Sequence, residues 1–169
     1  MRKTVTLCVV LLGLLAVGGA SAQRRKTPRP APVCGDPTVR CQTSVEFQPY
    51  QLPFRIPANA VIWESEHFYA VILKSVRDES MHADNCDLFI PEAEREAAQA
   101  LFPRNKVFTS RCMEPGDLFY EGVAEAARFM AVYGGRTRAE GLAVLEKVKA
   151  TGKYPGANLR RLRTGFNGT

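Results

Sequence analysis

Two short apolar runs, Phe68-Tyr69-Ala70-Val71 and Phe129-Met130-Ala131-Val132, stand 61 residues apart, and each opens a strand-helix-strand series. In the first half, residues 67–77 (HFYAVILKSVR) are β-branched and aromatic with few breaks, as a central strand buried on both faces should be. Pro91 then opens a helix with Glu92, Glu94 and Glu96 in its first turns, where negative charge suits the helix dipole. Ile90, Ala93, Ala97 and Leu101 recur at helical spacing, Pro103 closes the segment, and 106–111 reads as a second strand. In the second half, 129–133 is a strand broken by Gly134-Gly135, and Thr137 with Glu140 forms a capping box. Ala139, Leu142, Leu145 and Val148 line one face of the helix that follows, Lys147 and Lys149 sit in its last turn, and Gly152 stands at the C-cap. Residues 157–163 supply the last strand. A short strand over 61–63 precedes the first half, and 113–125, with its Pro115-Gly116-Asp117 turn signal, reads as a connection. Two such halves predict an α+β, ferredoxin-like βαββαβ domain: a four-stranded antiparallel sheet with two helices on one face.

The N-terminus addresses the chain out of the cell. Arg2 and Lys3 precede a short apolar stretch, and Ala20-Ser21-Ala22 is a small-x-small cleavage pattern, so residues 1–22 read as a secretory signal peptide. Without them, Cys34, Cys41, Cys86 and Cys112 remain, an even set in an exported chain where disulfides persist. Three pairings are possible. The favoured one joins Cys34 to Cys41 around a Gly-Asp-Pro loop and Cys86 to Cys112 between a long loop and the end of a strand. Neither C-x-x-C spacing nor paired histidines point to a metal. Residues 23–57 read as a basic, proline-rich tail followed by a disulfide-closed extended segment, and the folded domain is expected over 58–165.

The 23 Lys+Arg residues and 17 Asp+Glu residues are unevenly placed. All 17 acids lie within residues 33–146, which carry 11 basic side chains; the 23–32 stretch has four basic residues and the chain from Lys147 onward six, with no acid in either. Such basic ends suit an anionic partner. Export removes nucleic acid as the usual one and leaves an anionic envelope polymer or an acidic protein surface.

Residues 129–142 (FMAVYGGRTRAEGL), with Leu145, Gly152, Tyr154 and the basic strand 157–161, resemble the SPOR domain, a small exported bacterial module that binds peptidoglycan glycan strands lacking stem peptides. The Arg138-Ala139 pair and the helical leucines fit that pattern. Ala131, Tyr133 and Gly135 depart from it, standing where family members often have Gln, Gly and an aromatic residue. The resemblance implies a periplasmic or extracellular, monomeric, non-catalytic binding module of the bacterial envelope with no cofactor, and a sheet face that holds glycan. Aligned to that family, the period-2 alternation sends Tyr69, Val71, Leu73, Met130 and Val132 toward the helices and leaves Phe68, Ala70, Phe129, Ala131 and Tyr133 on the other face. Phe68, Phe129 and Tyr133 are then the rings to stack on sugars, with Arg136, Arg160 and Arg161 as donors to ligand oxygens. The same rings are equally placed to pack beneath residues 33–60, and in that case the module recognises an envelope protein on a SPOR-like scaffold instead.

The remaining candidates are weaker. His82, Asp84 and Cys86 share one polar loop, but that spacing is not diagnostic of a metal site and Cys86 is committed to a disulfide. His67 has no Ser or Cys at motif spacing. Glu64 and Glu66 point to one side of an extended chain, which glycan hydrolysis needs but which does not establish it.

Overall fold

A computed structural model of the chain describes residues 29–77, 86, 88–112, 117–124 and 126–169. The signal peptide and the His82 and Asp84 positions lie outside these residues. Eight elements follow in order: β1 (Ile62–Glu64), β2 (Phe68–Arg77), α1 (Glu92–Leu101), β3 (Val107–Thr109), β4 (Leu118–Glu121), β5 (Ala127–Gly135), α2 (Arg138–Ala150) and β6 (Asn158–Asn167). All strand pairs are antiparallel and join one sheet in the order β1-β6-β2-β5-β3, with β4 also on β6.

This overturns the four-stranded ferredoxin-like sheet. The sheet has six strands and curls, for two reasons that both lie in β6. That strand runs on to Asn167, so one edge pairs first with β2 (Phe68↔Leu162 through Ile72↔Asn158) and then with β1 (Trp63↔Phe166). Its other edge takes β4, from Leu118↔Phe166 to Glu121↔Arg163, where a connection was expected. The Phe119 ring occupies the space a Cβ at position 165 would need, so Gly165 is what admits β4.

The alternation along β2 and β5 divides the apolar residues between two cores. On the helix side, Val71, Leu73, Met130 and Val132 pack with Phe102, Val144, Leu145 and Val148. On the other side, Phe68, Ala70, Phe129 and Ala131 pack with Leu52, Phe54, Ile56, Phe108, Leu162 and Phe166. Leu52 and Phe54 have no exposed surface. The segment expected to precede the domain therefore belongs to its interior.

Backbone bonds stitch that segment in place. The Ala31 N–H donates to the Glu64 carbonyl (2.9 Å) and the Glu66 N–H to that of Ala31 (2.8 Å), while Cys34 and Arg55 donate to Pro53 (2.7 Å) and Pro32 (3.1 Å). Lys106 donates to Gly35 (2.7 Å) and Thr109 to Tyr50 (2.9 Å), so the segment also closes the β3 edge. Gly35 lies on the Tyr133 ring, where any Cβ would collide with it. Both favoured disulfides are present: Cys34–Cys41, with Cα atoms 5.5 Å apart, and Cys86–Cys112, at 5.0 Å. Two such bonds fit an oxidising compartment. Among the described residues, no helix is long and apolar enough to cross a membrane.

Helix α1 is rotated from its expected face. Arg95 and Ala98 are its buried residues, with Ile90 and Phe102 flanking them, whereas Leu101 is exposed. Alanines carry too little apolar area to fix a face, and Arg95 turns inward to donate to Glu92 (2.7 Å) and to the Val107 carbonyl (3.3 Å). Helix α2 buries Gly141, Val144, Leu145 and Val148, leaving Ala139 exposed.

The capping box of α2 is complete. The Glu140 N–H donates to the Thr137 hydroxyl (3.3 Å), and Thr137 and Arg136 N–H groups both donate to the Glu140 carboxylate (2.8 Å each). Bonds from the Thr137 backbone and side chain hold the Glu140 carboxyl below its ordinary value. A depressed carboxylate stabilises above its unfolded pKa and loses that contribution as pH falls through the folded one. Protection of the Arg136 and Thr137 amides from hydrogen exchange is therefore expected to fall on acidification below the usual carboxylate range, a pH dependence that Glu140→Gln should abolish.

Candidate functional site

The structure separates the six residues read as a glycan site. Phe68 and Phe129 are 0% and 1% exposed, enclosed by the segment that carries Leu52 and Phe54. Phe129 meets Phe108 edge-on at 5.9 Å, and Phe68 lies 5.5 Å from the Tyr133 ring. Neither phenyl ring offers a face to a sugar. The alternation that grouped these residues on one face is observed, but the face is covered.

Arg160 and Arg161 are exposed, on opposite faces of β6. Arg160 is paired with Ala70 and Arg161 with Tyr69, and these partners project to the two sides of β2. Arg160 borders a shallow depression with Ile72, Arg77 and Asn158, and its Nε donates to the Asn158 side chain (3.0 Å). No single surface unites the two arginines with Tyr133.

Tyr133 and Arg136 do come together, in a groove of about 790 Å³ where the N-terminal segment crosses the ends of β1 and β5. One wall is the extended stretch from Arg29 to Asp36, and Trp63 of β1, Arg40 and Arg55 complete it. Pro30 and Pro32 in that wall, and Pro57 beside it, have fixed φ and no N–H. The Cys34–Cys41 disulfide ties down the loop carrying Arg40.

Four arginines, 29, 40, 55 and 136, face two carboxylates in this groove, Asp36 and Glu66. The Arg136 Nε lies 2.7 Å from the Glu66 carboxylate and its guanidinium bonds the Tyr133 side chain, yet the Arg136 side chain stays 58% exposed, so part of its fork still faces the groove. The Thr38 hydroxyl (2.7 Å) and N–H (2.8 Å) donate to Asp36 and keep its carboxyl below the ordinary value. Burial pushes the Tyr133 hydroxyl up, against the effect of the Arg136 guanidinium beside it, so the phenol is a neutral hydrogen-bonding group at neutral pH. The Trp63 indole nitrogen is below the surface without a hydrogen-bond partner among the described residues.

No family model, curated protein or solved structure matches the chain. The geometry alone therefore carries the functional reading. Glu64 and Glu66, the pair with the spacing for hydrolysis, are each bound by an arginine: Arg163 at 2.8 Å and Arg136 at 2.7 Å. His67 is exposed beside β2. Among the described residues there is no group of three or more His, Cys, Asp or Glu that could hold a metal ion.

Sequence reasoning found two groove residues, Tyr133 and Arg136, and missed Trp63, Arg40 and Arg55. The missed arginines are in the segment read as a disulfide-closed extended stretch, and their one signal was positive charge recurring through a proline-rich sequence next to a disulfide loop.

Proposed function

We propose that the chain is an exported, monomeric, non-catalytic module of the cell envelope whose ligand is a protein. The observation that supports this over glycan binding is the filling of the sheet face by Leu52, Phe54 and Ile56, which removes Phe68 and Phe129 as stacking platforms. Both faces of the central strands β2 and β5 are then interior, and recognition falls to the rim. Protein partners suit such a surface, since arginine anchors and a tryptophan are the residue types that dominate protein interfaces. The signal peptide and the two disulfides agree with export.

Co-sedimentation of the disulfide-intact chain, lacking residues 1–22, with purified sacculi tests the reading. The expected result is no enrichment on the pellet, whether or not an amidase has stripped the stem peptides. Enrichment on stripped sacculi would overturn the protein reading and restore the glycan one.

A further inference from the structure

Resting on the protein-partner reading, we infer that the arginine groove holds an extended acidic segment of the partner. Three properties select that occupant. First, Arg29, Arg40 and Arg55 are exposed, and no ion pair engages them among the described residues, so their guanidinium forks are uncommitted. Planar forks match carboxylates in bidentate fashion. Second, Asp36 and Glu66 interrupt the positive surface. A polyphosphate with charge on every unit would meet both carboxylates at close range, whereas a peptide can place amides opposite the acids and carboxylates opposite the arginines. Third, Pro30, Pro32 and Pro57 present no N–H, and those of Ala31 and Cys34 already donate to Glu64 and Pro53, so arginine side chains are the donors this wall offers a ligand.

Trp63, the chain's single tryptophan, lines the groove and reports on what enters it. The Arg136–Glu66 pair at one end positions a guanidinium whose outer edge stays open to the ligand.

The probe is a ten-residue oligoglutamate peptide, titrated into the disulfide-intact chain at low ionic strength while Trp63 emission is followed. Saturable binding that shifts the emission and weakens steeply with added salt is expected. In Arg40→Glu/Arg55→Glu, each reversal should weaken binding about tenfold, hence about a hundredfold together. Both residues are exposed, and an unchanged urea midpoint for the double variant shows that it folds. Lys147→Glu/Lys149→Glu, both exposed at the end of α2 remote from Arg136, should bind as the parent does. Binding that survives the Arg40/Arg55 reversals, or is lost in the distal variant instead, overturns the groove while leaving the protein-partner reading standing. Tighter, emission-shifting binding of an inorganic polyphosphate chain than of oligoglutamate overturns the peptide and assigns the groove to a phosphate polymer. Retention on stripped sacculi, by contrast, removes the underlying reading.

Discussion

Phe129→Ala should lower the stability of the domain by about 3–5 kcal/mol, the cost of truncating a fully buried phenylalanine. The ring is 1% exposed and lies edge-on to both Phe108, at 5.9 Å, and Tyr120, at 5.5 Å, so its removal empties the middle of an aromatic cluster. Rings in such tilted contact contribute beyond their buried area. Tyr120 cannot swing into the vacancy without breaking its ties, because its hydroxyl accepts from the Leu52 N–H (3.4 Å) and burial of the phenol makes it costly to ionise. The Phe129 backbone bonds with Ser110 survive, since they involve the main chain of residue 129 and not the ring. The loss is then a cavity term with the sheet otherwise intact. Against a total of about 5–15 kcal/mol for a domain of this kind, it is a large fraction. Urea unfolding with the disulfides kept oxidised should show a markedly lower midpoint and a similar slope. A variant with the parent's midpoint would mean that the ring is not core, and the sheet-face glycan site would return.

The contrast between what was legible and what was not follows the range of the interactions. The capping box at Thr137 and Glu140, the face alternation along β2 and β5, and the two disulfide pairings were readable because each depends on neighbours in sequence or on a small number of alternatives. Strand β4 was not, because the LFYE run of Leu118–Glu121 is short and only its pairing with the far end of β6 makes it a strand. Whether Phe68 and Phe129 face solvent or a covering segment was equally beyond local pattern. Alternation puts the two rings on one face and says nothing of what lies across from it. The groove fared likewise: Tyr133 and Arg136 are three residues apart in sequence, while Arg40, Arg55 and Trp63 come to them through the Ala31 and Gly35 backbone bonds to Glu64, Glu66 and Lys106.

A chain of residues 58–169, which retains all eight strands and helices, should not fold cooperatively. It lacks Val33, Leu52, Phe54 and Ile56, all buried, and their loss exposes Phe68, Phe108 and Phe129 on the concave side of the sheet. At about 1.5–3 kcal/mol for each large apolar side chain taken out of water, the four contribute on the order of 6–12 kcal/mol, as much as a whole domain has to spare. Lost cross-linking does not explain the outcome, because Cys34–Cys41 lies wholly within the removed segment and closes a loop of few residues, while Cys86–Cys112 is kept. Nor does the edge of β3 remain protected, since Gly35 and Tyr50 no longer accept from Lys106 and Thr109. The shortened chain should therefore bind a hydrophobic dye, lack near-ultraviolet circular dichroism and show no sigmoidal urea transition. A sigmoidal transition with a native near-ultraviolet spectrum would show instead that 58–169 is self-sufficient and that residues 29–57 only rest on it. The sheet face would then be a coverable surface, open to a ligand whenever the segment lifts, and the arginine groove, which needs that segment as its wall, would exist only in the closed form.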